Sequence, residues 1–138
     1  RFATLARTGQ VAPAYCTGVG KAILAHLEPE AQAQALQQQA FLKYTDATHT
    51  STETLVRELE QIRAEGIAFD REEHEAGIIS IAAPILTDAG RVVGAVSIAT
   101  ATHRHTLDGL NAFRPALLEC ATRIGAEAQS WQSPSVPS

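Results

Sequence analysis

Apolar positions are densest over residues 67–100, where three runs are separated by two polar connections. The first run, 67–69, is short; the second, 78–86, and the third, 92–99, are longer and rich in Val and Ile. Runs of this length bounded by Gly and Asp predict strands rather than helices. Thr87-Asp88-Ala89-Gly90, followed by Arg91, suits a tight turn with its glycine at positive φ. The pattern predicts a β-hairpin at the middle of a sheet. Both hairpin strands are almost wholly apolar, so both faces of the sheet should be covered, by helices.

Helical spacing appears on either side of that stretch. Leu55, Val56, Leu59 and Ile62 predict an amphipathic helix. Thr50 and Glu53 form a capping box at its start, and Gly66 supplies the left-handed residue at its end. Earlier, Gly18 and Gly20 open the apolar stretch 22–27, which predicts a helix whose first N–H groups face outward. Pro29 and Glu30 suit a first helical turn, and Ala33, Leu36, Ala40 and Phe41 give that surface helix a thin apolar face. Residues 43–49 read as a polar connection. After the loop 103–105, Thr106 caps a helix running to about residue 129, kinked or split at Pro115, with Leu110, Leu117, Ala121 and Ile124 on one face. Residues 1–7 read as a strand, 8–10 as a turn and 11–15 as extended chain around Pro13. The Ser- and Pro-rich stretch 130–138 reads as a disordered tail. The sum is an α+β domain over 1–129, an antiparallel sheet flanked by helices.

Composition narrows the function classes. A chain of 138 residues fits one domain with its own core. The net charge is −4 and Lys and Arg form no block, which argues against direct binding of nucleic acid or acidic membrane by this segment. No apolar run is long enough to span a bilayer. Cys16 and Cys120 have no close spacing and make no disulfide framework, so the expected compartment is a reducing cytoplasm.

Candidate chemistry is sparse. The glycine-rich helix entry places N–H groups and the positive end of a helix dipole where an anion or carboxylate is favoured. The same residues also suit close helix packing, and their spacing is not that of a nucleotide P-loop. Asp70 ends a strand at the mouth of the sheet, where it can accept from a ligand hydroxyl or cap the following loop. Glu72, Glu73 and Glu75, with His74 among them, read as a solvated loop. Ser80 and Ser97 interrupt apolar strands; each hydroxyl needs a partner, either nearby backbone or a bound molecule in an apolar pocket. His103 and His105, even with His26, His49 or His74, match no metal-ligand spacing, so no metal and no other cofactor is expected. Cys16 lacks a base close in sequence, no GxSxG elbow exists, and no catalytic residue is assigned.

The order of these parts resembles the effector domain of the IclR family of bacterial transcriptional regulators. The similarity lies in residues 13–22 (PAYCTGVGKA), in 58–66 with the strand 67–70, in Glu72-Glu73-His74-Glu75-Ala76-Gly77, in Ile81-Ala82-Ala83-Pro84-Ile85 and in 90–98 (GRVVGAVSI). The resemblance implies a GAF-like effector-binding domain and no enzyme. It implies a small organic acid or related metabolite held between the sheet and the glycine-rich helix entry. Its carboxylate would meet the N–H groups of Gly18 and Val19, Asp70, Ser80 and Ser97 would line the pocket, and Ile78 would give an apolar wall. The chain departs from the family pattern at Tyr15, where His is frequent, at Ile79-Ser80, where Arg-Cys is common, and at Ala99, where a second serine often follows. The resemblance also implies a homodimer or homotetramer. Operator DNA would be met only through an N-terminal winged helix-turn-helix, which the resemblance, like the domain's first strands, leads one to expect ahead of residue 1. Two other readings remain open: an oligomerisation or interaction module with a vestigial pocket, and a small enzyme using Asp70 or His74 as base.

Overall fold

Helix α3, Thr52–Glu65, delivers the chain into the sheet, and local chemistry sets both its ends. Ser51, not Thr50, is the cap: its backbone is extended and its hydroxyl accepts from the Thr54 N–H at 3.4 Å. The expected box is thus displaced by one residue, because Ser51 is the last residue before the helical dihedrals begin. Gly66 closes the helix at φ +77°, its N–H bonded to the Ile62 carbonyl at 2.7 Å. Leu55, Leu59 and Ile62 form the buried stripe.

The computed structural model describes residues 13–132. Strands β1 (Ala68–Arg71), β2 (Ile78–Leu86) and β3 (Val92–Ala101) pair antiparallel in the order β1-β2-β3. At the hairpin, the Thr87 N–H donates to the Arg91 carbonyl at 2.9 Å, and Gly90 takes the predicted positive φ of +84°. The center of the sheet is β2 alone; among the described residues β3 is paired on one side only. The strand expected at 1–7 lies outside the described residues.

The two faces of β2 explain its unbroken apolar run. On one face Ala68 and Ala82 meet Leu24 and Ala25 of α1 (Gly18–Ala25), Leu36 of α2 (Pro29–Gln37), and Leu55, Leu59 and Ile62. On the other, Ile79, Ile81 and Ala83 meet Leu110 of α4 (Leu107–Asn111) and Leu117 and Ala121 of α5 (Arg114–Gln132). Small residues lie under α1 and large ones under α5, so α1 approaches the sheet closely.

Several boundaries differ from expectation. Ala14–Cys16 form a 3-10 turn, not extended chain. Helix α2 stops at Gln37; Phe41 lies beyond it at φ +53°, and Ala33 and Ala40 are exposed, so the expected apolar face reduces to Leu36. Thr106 does cap α4, accepting from the Gly109 N–H at 3.0 Å. The long helix is split before Pro115, as a proline without an N–H demands. The second half continues to Gln132, past the expected end; residues 133–138 of the expected tail lie outside the described residues. No described helix is long and apolar enough to cross a membrane.

Candidate functional site

The start of α1 lies directly on the sheet. A Cβ placed on Gly18 would stand 2.7 Å from Ser80 Oγ, 3.4 Å from Ala82 Cβ and 3.9 Å from Asp70 Cβ. One on Gly20 would stand 2.4 Å from Ala14 Cα in the preceding turn. The close-packing reading of the two glycines is therefore correct, and it leaves the first amides of the helix in place at its N-terminus. Thr17 caps the helix, its hydroxyl accepting from the Gly20 N–H at 3.1 Å and donating to the Pro13 carbonyl at 3.0 Å. The Lys21 N–H returns to the Thr17 carbonyl at 2.9 Å. This leaves the N–H groups of Gly18 and Val19 without an acceptor among the described residues, at the positive end of the helix dipole.

Strand register gathers the other sequence candidates on the same face. Asp70 lies opposite Ser80, and Ser97 lies opposite Ala82, the next residue on that face of β2. Directly opposed residues share a face, as do residues two apart along a strand. Asp70, Ile78, Ser80 and Ser97 therefore all belong to the α1 side. Asp70 and Ser80 are buried, while Ile78, Ser97 and Val19 are half-buried. Neither serine hydroxyl bonds to a described residue, so the backbone alternative is not the one realised. No fully enclosed side-chain N or O among the described residues lacks a partner, so the Ser80 hydroxyl must remain open to solvent or a small molecule.

Asp70 is shaped by burial. Desolvation pushes its carboxyl up to about 6, and the negative charges of Glu73 and Glu58 push the same way. A hydrogen bond from the Glu73 N–H to Oδ1, 2.8 Å, and the charge of Lys21 act in the opposite direction.

The sequence reading missed the strongest polar feature. Lys21 is fully buried, and its Nζ lies 2.7 and 2.8 Å from the two Glu73 carboxylate oxygens and 2.8 Å from Glu58 Oε2. Glu73 is not solvated as expected; it is only 3% exposed, whereas Glu72 and Glu75 are exposed. The ammonium draws the Glu73 side chain inward, and its Oε2 also accepts from the Arg71 N–H at 3.1 Å. Glu58 Oε1 meets His49 Nε2 at 2.6 Å. Burial opposes the Glu58 anion, but bonding to His49 and the charge of Lys21 outweigh it and hold the carboxyl at about 2. One signal was available: Lys21 is a lone cation in the apolar helix GVGKAILA, and a buried charge requires a partner. Removing one member of such a buried group typically costs about 3–5 kcal/mol.

His49, Glu58 and Glu73 place ligand atoms within 4.8 Å of one another, the spacing of a cation site. Lys21 Nζ already sits against both carboxylates, so the cation held there is the protein's own. His103 and His105 are exposed and join no such group among the described residues; His105 Nδ1 lies 3.1 Å from Thr100 Oγ1. Cys16 is fully buried, and burial beside Asp70 and Glu73 pushes its thiol up to about 12, which leaves no thiolate nucleophile.

Comparison with known proteins accords with this architecture. The family profile described as bacterial transcriptional regulator IclR C-terminal matches residues 1–126. The HTH-type transcriptional regulator BhcR of Paracoccus denitrificans is 37% identical over 110 residues, covering 80% of this chain and 39% of that protein. The crystal structure of the C-terminal domain of the Escherichia coli regulator KdgR superposes with TM-score 0.76 at 34% identity, covering 82% of this chain and 69% of that one. An Acinetobacter structure, a double mutant of the PobR inducer-binding domain in complex with 3-hydroxybenzoic acid, gives TM-score 0.77 at 28% identity, covering 83% and 66%. The chain spans 39% of the length of BhcR and 46% of full-length KdgR. It belongs to the family of C-terminal domains of bacterial IclR transcriptional regulators, whose members are regulators and not enzymes.

Proposed function

We propose that this domain is a ligand sensor which takes a small organic acid between the start of α1 and the sheet. The carboxylate meets the N–H groups of Gly18 and Val19. Asp70, Ser80 and Ser97 address hydroxyls or carbonyls elsewhere on the molecule, and Ile78 gives an apolar wall. The observation that carries this reading is the convergence on one face: two amides without acceptors, two serine hydroxyls without protein partners, and a buried carboxylate. A few placed polar groups in apolar surroundings are the usual make-up of a small-molecule site. The 3-hydroxybenzoate of the PobR structure supports the choice of an acid as ligand class.

In the full-length regulator, occupancy biases the arrangement of a homodimer or homotetramer and thereby the DNA binding of an N-terminal domain. A coupling of about 1–3 kcal/mol is enough for such a switch. The working compartment is the cytoplasm, without membrane association.

The test is a thermal-shift screen of the 138-residue chain with pyruvate, glyoxylate, sugar acids and hydroxybenzoates. An acid at a hundred times its dissociation constant adds about 2.7 kcal/mol, on the order of 5 °C in melting temperature. Ser97→Val should abolish that shift while leaving the unliganded melting temperature within about 2 °C, since a half-buried hydroxyl without a partner contributes little to folding. A shift from no acid on a chain that melts cooperatively would sink the reading, and so would a shift that survives Ser97→Val.

A further inference from the structure

The acid site lies between a helix and the sheet, and the connection from β1 to β2 ties the two together. Helix α1 carries the Gly18 and Val19 amides, Asp70 is the last residue but one of β1, and the connection to β2 begins after Arg71. Lys21 links α1 to this connection. It lies one turn beyond Gly18, wholly buried, and grips both carboxylate oxygens of Glu73 at 2.7 and 2.8 Å. The other polar groups of Glu73 are also engaged. Its N–H donates to Asp70 Oδ1 at 2.8 Å, and its carbonyl accepts from the Thr48 hydroxyl at 2.6 Å. Its Oε2 accepts from the Arg71 N–H at 3.1 Å. Glu72, its neighbour, stands at φ +60°, a left-handed conformation that a residue with a side chain keeps only when its surroundings hold it there. The Thr45 hydroxyl, donating to the Glu72 carbonyl at 2.6 Å, is a further tie on the same turn.

We propose that Lys21 is a positioning residue of the acid site: by holding the Glu73 carboxylate it locks the β1–β2 connection, and through the Glu73 N–H it fixes the Asp70 carboxyl beneath the amides of Gly18 and Val19. The inference deepens the ligand-sensor reading and rests on it for its functional meaning. Lys21 acts through Glu73 and then Asp70. Its own ammonium is saturated by Glu73 and Glu58 and is not offered to the ligand. Bringing a ligand acceptor and a ligand donor group to fixed separation is the kind of preorganisation that raises affinity without a new contact.

The test uses the double variant Lys21→Met/Glu73→Gln, which removes the ion pair without leaving either charge alone; Glu58 keeps His49 and Arg71. Two readouts are taken on the 138-residue chain. Amide hydrogen exchange at residue 73 should accelerate about tenfold or more relative to the β2 ladder, because the loop opens locally without global unfolding. Affinity for the tightest-binding acid of the thermal-shift screen, with 3-hydroxybenzoate as the standing probe, should fall about tenfold or more, because the Asp70 carboxyl is no longer preorganised. Leu117→Ala, in the core on the far side of the sheet, is the control for lost stability alone. It should raise exchange throughout the sheet and leave acid affinity within about twofold.

Unchanged relative protection at residue 73 in the double variant would overturn the proposal, leaving Lys21 an element of stability only. So would an affinity loss matched by Leu117→Ala. If the double variant does not fold, Glu73→Gln alone decides, with the same loosening at residue 73 expected and its absence equally fatal. If the wild-type chain takes up no acid, the ligand-sensor reading fails, while the exchange measurement still decides whether Lys21 positions Asp70.

Discussion

Gly18 shows how a single atom's worth of space couples packing to binding. A methyl group there would meet Ser80 Oγ at 2.7 Å and Ala82 Cβ at 3.4 Å. Gly18→Ala should therefore destabilise the domain by about 1–3 kcal/mol, the usual cost of overpacking. Ser80→Ala should change stability by less than about 0.5 kcal/mol, since its hydroxyl has no protein partner. Together the two changes should cost less than Gly18→Ala alone, because the atom that collides is gone; urea unfolding of the four proteins checks this. Asp70 gives a second prediction at this scale. Its native carboxyl, held up to about 6 by burial, binds a proton more readily than the unfolded chain, whose value is near 3.8. Stability from this group therefore falls as pH rises through roughly 4 to 6 and stays low above that window. Glu58 acts in the opposite sense: its native value is about 2 against 4.5, so its contribution is present above 4.5 and is lost as pH falls toward 2. Asp70→Asn, which can still accept from the Glu73 N–H, should be more stable than wild type at pH 7.5. It should lose that advantage at pH 4, as measured by urea unfolding at both values.

At the level of elements, the helix ends and the helix–sheet contacts carry the tests. Ser51 caps α3 and Thr50 does not, so Ser51→Ala should cost about 1 kcal/mol and Thr50→Ala should be nearly neutral, by thermal or urea unfolding. The capping pattern could be seen in the chain, but two adjacent hydroxyl residues satisfy it almost equally. The choice between them is made by where the backbone leaves its extended conformation. Helix α5 is held to β2 by an absence. A Cβ on Gly125 would lie 2.4 Å from the Leu86 carbonyl oxygen, and the atom that must yield is backbone. Gly125→Ala should force the helix away from the strand and cost about 2 kcal/mol or more, although alanine is intrinsically the better helix former. A gain in stability would mean that the two elements are not in this contact.

In the whole molecule, one central strand divides two cores with different duties. In the core under α1 the sheet contributes small residues, Ala68 and Ala82, and this side carries the polar groups of the site. The core under α5 is made from Ile79, Ile81, Leu110 and Leu117 and carries none of them. Truncations on either side, Leu55→Ala or Leu117→Ala, should cost about 2–5 kcal/mol each. Their consequences for an acid ligand should differ. Leu55→Ala undermines the helices that hold α1 and should weaken binding, while Leu117→Ala should not. Calorimetric titration with an acid found in the thermal-shift screen would separate the two cores.

Much of this was legible along the chain, and for a common reason. The hairpin with its turn at Gly90, the amphipathic α3 with its stop at Gly66, the cap at Thr106 and the split before Pro115 all depend on residues close in sequence. Periodicity, a missing N–H or a required positive φ specifies them locally. The glycine-rich helix entry, Asp70 and the two interior serines could also be singled out one by one, because each is polar or small in an apolar setting. Their meeting on one face depends on strand register and on how closely α1 approaches the sheet, and neither is written in any one segment. The failure at Glu73 has the same origin. In a run of four acids nothing local marks one as buried; it is buried because Lys21, 52 positions earlier, is brought over it when α1 packs on the sheet. Propensity and pattern set the elements, whereas the ion cluster and the candidate pocket exist only once elements distant in sequence are in contact.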